Sequence, residues 1–183
     1  MIELERRDPP GAARAAMMLQ RAHWAAEVFA RYDRERVVRI LDAVAEAAEA
    51  HAERYAEEAV AETGMGVVEH KVLKNRMLSR GLWDHYRDHD FVSPRIDADA
   101  KILELPRPAG VIFALTPVTN PIATVYFKVM LALMTRNAIV VSPHPGAKTV
   151  CADAVRMLSD AAVRAGAPDG CIQIVEDPSI PLI

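Results

Sequence analysis

The chain has 183 residues, of which 51% are hydrophobic and 26% charged, with a formal net charge of -3 and a pI near 6.1. A chain of this length and apolar content can bury the core of one ordinary domain, so a disordered tail is excluded. Only 5% of the residues are aromatic, and the charge balance provides no basic field. We therefore expect no nucleic-acid partner, because such partners require phosphate-binding cations and stacking platforms.

The first eight residues, MIELERRD, place acids where a secretory peptide has a basic and then an apolar run. We therefore expect no export and a cytoplasmic location. The longest apolar stretch, residues 122–134, contains Lys128 and is shorter than the roughly 20 residues that span a bilayer, so we expect no membrane partner. The cysteines, Cys151 and Cys171, are too few for a disulfide framework.

The first part of the chain is predicted to be helical and well solvated. Residues 1–100 hold 15 Lys or Arg and 19 Asp or Glu, against 7 and 6 in residues 101–183. Apolar residues at spacings of three and four predict one long helix over residues 33–63, with Asp33 as N-cap and Gly64 as the stop. Further helices are predicted over residues 12–31 and 67–85.

The second part alternates β-rich and helical runs. Their order predicts a parallel α/β sheet, so residues 1–100 form the helical segment and residues 101–183 the first part of the sheet. The predicted strands are residues 101–105, 111–115, 138–142 and 171–175, and the predicted helices are residues 121–135 and 147–165.

Two loops at the carboxyl ends of predicted strands are the candidate binding site, since ligands of open parallel sheets bind there. Loop A covers residues 116–121 and loop B covers residues 142–146, and each contains two prolines. The candidate ligand-binding residues in and beside these loops are Leu115, Thr116, Pro117, Val118, Thr119, Asn120, Ser142, Pro143, His144 and Pro145.

Single residues in this region have more than one interpretation. Asn120 followed by Pro121 is typical of a helix start, and the Asn120 amide could equally donate to an oxyanion or a cofactor oxygen; the two roles are compatible. His144 is given no acid or base role on its position alone. Gly-x-Gly-x-x-Gly is absent, which excludes a conventional dinucleotide turn.

Metal and thiol chemistry are not predicted. His85 and His89 stand four residues apart among acids, but the run is more typical of a solvated helix end than of a metal site. Cys151 lies at helical spacing with apolar residues and Cys171 opens a strand. Neither has an evident base or cation nearby, so both are predicted to be core residues.

Three segments resemble the aldehyde dehydrogenase superfamily. They read PRPAGVIFALTPVTNP over residues 106–121, TRNAIVVSPHP over residues 135–145, and AVAETGMGVVEHKVLKN over residues 59–75. The likeness covers about residues 20–180. Within the superfamily it is similar to the coenzyme-A-acylating branch, which includes acetaldehyde, propionaldehyde and sulfoacetaldehyde dehydrogenases and the aldehyde half of bifunctional aldehyde-alcohol dehydrogenases.

The resemblance implies N-terminal helices packed on a Rossmann-like parallel sheet, as part of an incomplete cofactor-binding domain. It implies oxidation of a small aldehyde by NAD with acyl transfer to coenzyme A, or the reverse, with NADP left open. In that family a cysteine thiolate attacks the aldehyde and hydride passes to the nicotinamide. Loop A would lie by the nicotinamide and the oxyanion, with Asn120 as oxyanion donor, and loop B by the adenosine ribose.

The chain departs from the family pattern in three respects. Hydrolytic members have Pro-Trp-Asn where this chain has Pro117, Val118, Thr119 and Asn120, which displaces the amide by one position. They carry a ribose-binding lysine where Ser142 stands, and a serine cannot supply that charge. The second cofactor loop, the nucleophilic cysteine and the catalytic domain lie downstream of the matching segments, so we expect this chain alone to be inactive.

Two other functions fit the same sequence. One is a nucleotide-binding module without catalysis, and the other is a helical interaction or scaffold protein in which residues 1–90 pair with another subunit. We expect weak NAD binding, because a half-built site leaves polar cofactor groups unpaired. We also expect a homo-oligomer, because the sheet edge after Val175 is an exposed strand edge.

Overall fold

The computed structural model describes residues 11–179. The acidic start, residues 1–8, on which the expectation of no export depends, lies outside the described residues. The helical part consists of α1 (Ala12–Phe29), α2 (Arg34–Ala50), α3 (Ala52–Thr63), α4 (Val68–Arg76), a π-helical turn (Met77–Gly81) and α5 (Leu82–Tyr86). No helix within the described range is long and apolar enough to cross a membrane.

The predicted single helix over residues 33–63 is wrong, because the chain breaks at His51. This residue leaves the helical region with φ -103° and ψ 7°, and its Nδ1 lies 2.8 Å from the carbonyl oxygen of Ala47. The break separates α2 from α3, and each helix places a residue, Val44 and Tyr55 respectively, fully buried in the same core.

The predicted ends of this helical pair are confirmed. Asp33 caps α2, where its Oδ1 accepts a hydrogen bond of 2.9 Å from the backbone N–H of Arg36. Gly64 ends α3 with φ 66°, in the left-handed region that favours glycine. The helix predicted over residues 67–85 is also present, with the π-helical turn inside it.

The prediction that residues 101–105 form a strand of the parallel sheet is wrong. Ile102–Glu104 is strand β2 of a separate antiparallel hairpin, whose other strand, β1, is Arg95–Asp97. The connection is closed by Asp97, whose Oδ1 accepts from the backbone N–H of Ala100. All six strand residues are exposed. The alternation of apolar and charged residues in this segment therefore belongs to a two-stranded hairpin that buries neither face.

The parallel sheet is confirmed, and within residues 11–179 it has three strands in the order β3-β4-β5. Strand β4 lies in the middle, and all six of its residues are buried. Helices α6 and α7 are the crossover connections, and α1 also packs against the strands. The elements are β3 (Val111–Thr116), α6 (Pro121–Met134), β4 (Ala138–Pro143), α7 (Lys148–Arg164) and β5 (Ile172–Ile174).

The turn between α6 and β4 joins the helical part to the sheet. Arg136 is 9% exposed, has φ 58°, and donates to the carbonyl oxygens of Ala30 at 2.8 Å and Pro106 at 3.1 Å. Its neighbour Asn137 accepts from the backbone N–H of Gly110 at 2.8 Å through Oδ1. These contacts fix where β3 and β4 begin. Because both strands have six residues, they also end side by side.

Candidate functional site

Loops A and B leave neighbouring strands at the same level and touch each other. Thr116, the last residue of β3, is the register partner of Pro143, the last residue of β4. The backbone N–H of His144 donates to the carbonyl oxygen of Thr116 at 3.0 Å. A Cβ built on Gly146 would lie 3.4 Å from Cγ2 of Val118. The expected convergence of the two loops at one edge of the sheet is therefore present.

Loop A turns some of its residues outward and some inward. Pro117 and Thr119 are exposed and Val118 is half-buried. Thr116 is buried, and its Oγ1 lies 3.9 Å from Sγ of Cys151. Leu115, just before the loop, is 52% exposed, and its carbonyl oxygen accepts from Nζ of Lys128.

Asn120 stands at the start of α6, but its side chain does not cap the helix. The backbone carbonyl of Asn120 accepts from the N–H of Thr124 at 3.2 Å and from its Oγ1 at 2.7 Å. The side-chain Oδ1 instead accepts from Nζ of Lys74 at 3.0 Å. Pro121 takes the predicted first helical position.

A second lysine of α4 reaches the same loop. Lys71 is only 6% exposed, and its Nζ donates to the carbonyl oxygen of Thr119 at 2.8 Å. Burial, together with the nearby charge of Lys74, lowers the pKa of Lys71 below its usual value. Gly66 makes room for this side chain, because a Cβ there would lie 2.9 Å from Cε of Lys71.

Loop B contains one buried hydroxyl. Ser142 is 1% exposed, and its Oγ has no hydrogen-bond partner within residues 11–179. Pro143 is also buried, whereas His144 and Pro145 are exposed. Nδ1 of His144 accepts from the backbone N–H of Gly146 at 3.0 Å, which leaves Nε2 facing outward as a donor.

The helix start that follows loop B is already occupied by a side chain. The carboxylate of Glu62, from α3, accepts hydrogen bonds from the backbone N–H groups of Thr149 at 2.9 Å and Val150 at 2.7 Å. A helix N-terminus is the usual position for the pyrophosphate of a dinucleotide. At α7 this position holds a protein carboxylate instead.

Both cysteines lie in the core. Cys151 is 0% exposed and Cys171 is 1% exposed. Burial raises the pKa of each thiol to about 12, so both are neutral at physiological pH. The prediction that they are core residues is confirmed.

The histidine pair considered for a metal lies elsewhere, in an aromatic cluster. The rings of His85 and His89 stack with centroids 6.3 Å apart, and both contact Tyr86. Within the described part of the chain, no three His, Cys, Asp or Glu side chains gather as a metal site would require.

Sequence reasoning missed three residues: Lys71 and Lys74, which contact loop A, and Glu62, which contacts the start of α7 just after loop B. All three lie in the segment AVAETGMGVVEHKVLKN, residues 59–75, which is one of the segments that resemble the family. Their contacts span 46 to 88 positions along the chain. No local periodicity could have indicated them.

Residues 9–180 match the family model described as "Aldehyde dehydrogenase family". The chain is 37% identical over 163 residues to the succinate-semialdehyde dehydrogenase (acetylating) of Clostridium kluyveri, covering 88% of this chain and 36% of that protein. It is 37% identical over 166 residues to the bifunctional aldehyde-alcohol dehydrogenase of Escherichia coli K12, covering 90% of this chain and 19% of that protein.

Solved structures agree with this match. An acetylating aldehyde dehydrogenase from Geobacillus thermoglucosidasius superposes with a TM-score of 0.89 at 36% identity, covering 93% of this chain and 38% of that one. A propionaldehyde dehydrogenase from Rhodopseudomonas palustris with bound CoA superposes with a TM-score of 0.78 at 29% identity, covering 92% and 38%. The chain thus spans little more than a third of these structures.

Proposed function

The chain belongs to the aldehyde dehydrogenase family, and from that premise we propose that it is the N-terminal NAD-binding part of a coenzyme-A-acylating enzyme. The reaction would convert aldehyde, NAD and coenzyme A to acyl-CoA and NADH, or run in reverse. The resemblance to acylating members predicted from the sequence is confirmed by the relatives and solved structures. The observation that supports the site is the contact between loops A and B at one edge of the sheet.

The residues of both loops suit a dinucleotide. Loop A presents the backbone N–H and side-chain NH2 of Asn120, neither of which has an acceptor within residues 11–179. Loop B holds the hydroxyl of Ser142, which is buried and unpartnered. A buried, unpartnered hydroxyl such as that of Ser142 costs stability unless a ligand satisfies it. Bound NAD would supply the hydride acceptor.

Each loop would contribute binding and orientation. Loop A would hold the nicotinamide end, with Asn120 donating to an oxygen that gains negative charge. Loop B would hold the ribose end through Ser142, and the outward Nε2 of His144 would supply a further donor. Because Glu62 occupies the start of α7, we infer that the pyrophosphate would be bound by another part of the protein.

We further propose that neither cysteine of this chain is the nucleophile and that the chain alone is inactive. A nucleophilic cysteine must be an accessible thiolate, and Cys151 and Cys171 are buried with pKa values raised to about 12. The nucleophile would then lie outside residues 1–183, as would the pocket that encloses the aldehyde.

Activity of the full-length polypeptide tests the proposal. With acetaldehyde, NAD and coenzyme A it should form NADH and acetyl-CoA in equal amounts, and omission of coenzyme A should stop steady turnover. The 183-residue chain in the same assay should form no NADH. NADH formation by the chain alone would refute its inactivity, and failure of the full-length polypeptide with a panel of short aldehydes would refute the assigned reaction.

Calorimetric titration of the 183-residue chain with NAD distinguishes the proposed enzyme segment from a nucleotide-binding module and from a scaffold protein. We expect weak binding, because the groups that would satisfy the rest of the cofactor are absent. Submicromolar affinity would contradict this and favour a self-sufficient nucleotide-binding module. A stable complex with another protein and no response to NAD would favour the scaffold function.

A further inference from the structure

The donors and acceptors of Asn120 are used unequally. Its carbonyl oxygen accepts twice from Thr124, and its side-chain Oδ1 accepts from Lys74. Its backbone N–H and its side-chain NH2, in contrast, have no acceptor within the described chain. Every acceptor of the residue is occupied and both donor groups are free.

Lys74 determines which way the amide faces. An ammonium group only donates hydrogen bonds, so the amide can meet Nζ of Lys74 only through its oxygen. The nitrogen is the other arm of the same planar group and is therefore turned away from the lysine. The ammonium group of Lys74 therefore fixes the orientation of the amide.

Lys71 determines which way the adjoining peptide faces. Its Nζ holds the carbonyl oxygen of Thr119 at 2.8 Å. The peptide bond between Thr119 and Asn120 is trans, and in a trans peptide the N–H points opposite to the carbonyl. The N–H of Asn120 is consequently directed away from α4, as its side-chain nitrogen is directed away from Lys74.

The burial of Lys71 suggests a role other than stability. The residue is 6% exposed, and within residues 11–179 no carboxylate forms an ion pair with it or with Lys74. Buried lysines are rare unless they are paired, because desolvation of the charge is costly. Gly66, with φ 88°, leaves the space that the Lys71 side chain fills.

We propose that Lys71 and Lys74 are positioning residues that keep the two donors of Asn120 turned away from α4, so that they can bind the oxygen of the aldehyde as it gains negative charge. This inference rests on the proposed function and extends it, because it adds the backbone N–H to the amide as a second donor and names the residues that hold both. Neither lysine touches the reacting atoms in this arrangement.

Kinetics of the full-length enzyme test the positioning role. Lys71→Met and Lys74→Met should each lower kcat about 10-fold, with KM for NAD within about 2-fold, since loosening a donor costs less than the 10²- to 10³-fold loss on removing one. Lys74→Arg should restore most of the rate, because it still donates to Oδ1. Lys101→Met, in the exposed hairpin, is the matched control and should leave kcat unchanged.

A double-mutant cycle separates positioning from general damage. If Lys74 acts through Asn120, then Lys74→Met should cause little further loss in an Asn120→Ala background. Independent, additive losses would overturn the inference. Absence of turnover in the unmodified enzyme would refute the proposed function and this role with it, whereas wild-type rates in both lysine variants would refute the positioning role alone.

Thermal stability distinguishes a positioning role of Lys71 from a purely structural one. Because the buried ammonium of Lys71 has no ion-pair partner within residues 11–179, Lys71→Met should leave the thermal midpoint unchanged or raised while kcat falls. A midpoint that falls together with kcat, in the enzyme and in the 183-residue chain, would assign Lys71 to folding and overturn its positioning role.

Discussion

The side chain of Glu62, near the end of α3, accepts a hydrogen bond of 2.7 Å from the backbone N–H of Val150 in the first turn of α7. The same carboxylate also accepts from the N–H of Thr149. A negative charge at a helix N-terminus is favourable, because it meets unsatisfied N–H groups and the positive end of the helix dipole. The helical part thus supplies the cap that α7 lacks locally.

Replacement of Glu62 should weaken the docking of α3 on α7. Glu62→Ala leaves two N–H groups without their acceptor, and we expect it to lower the free energy of unfolding by about 1 kcal/mol, as for loss of an N-cap. Glu62→Gln keeps an oxygen acceptor and should lose less. Chemical denaturation of the three proteins measures this, and equal stability of all three would show that solvent replaces the cap at no cost.

Arg136 should contribute more to stability than a surface arginine does. Its guanidinium donates to carbonyls of half-buried residues at the end of α1 and before β3, and hydrogen bonds from charged groups contribute about 1.5 to 3 kcal/mol. We expect Arg136→Met to destabilise by about 2 kcal/mol. Arg156→Met, which breaks an exposed pair with Glu176, should cost under about 1 kcal/mol and serves as the control. Similar losses in both variants would contradict this account.

The buried thiols should make the fold sensitive to alkali. The folded pKa of Cys151 is raised from 9.0 to about 12 by burial, so the native state retains a proton that the unfolded state loses. This contribution is fully present below pH 9 and is lost as the pH rises toward 12. Unfolding free energy should therefore fall less steeply over this window in Cys151→Ala than in the wild type. If the unfolding free energies of the two proteins changed with pH in parallel, the pKa of Cys151 would not be raised in the folded state.

The sheet should drive association of the 183-residue chain. Strands β3 and β5 both lie at an edge, and Phe113 and Leu115 of β3 are 42% and 52% exposed. Light scattering should show concentration-dependent oligomers that Phe113→Lys reduces. Val163→Lys, on α7, introduces the same charge away from the strands and should leave association unchanged. A monomer at all concentrations would remove the basis for the expected homo-oligomer.

Much of the fold could be predicted because local chemistry determines it. Asp33 and Gly64 were identified as helix boundaries by their capping preferences, and the strands over residues 111–115 and 138–142 by length and branching. The break at His51 could not be predicted, because apolar spacing continues through it. Residues 101–105 were placed in the wrong sheet, because a strand pattern does not specify its pairing partner.

The site was predictable only in part. Loops A and B were identified because they follow strands, and the structure brings them together; their role in cofactor binding stays a prediction. The partners of these loops were not predictable. Lys71 reaches loop A, and Glu62 reaches the start of α7, from helices that are distant in sequence. Both contacts arise from packing of the helical part on the sheet.

The hairpin of β1 and β2 adds no side chain to the interior, since all six of its strand residues face solvent. A dye or affinity handle attached at its tip, residues 98–101, should therefore leave the folding energetics untouched. The signal of a dye at this position should change when another part of the protein, or another subunit, covers Ile96 or Leu103. The hairpin is therefore a suitable place to monitor assembly.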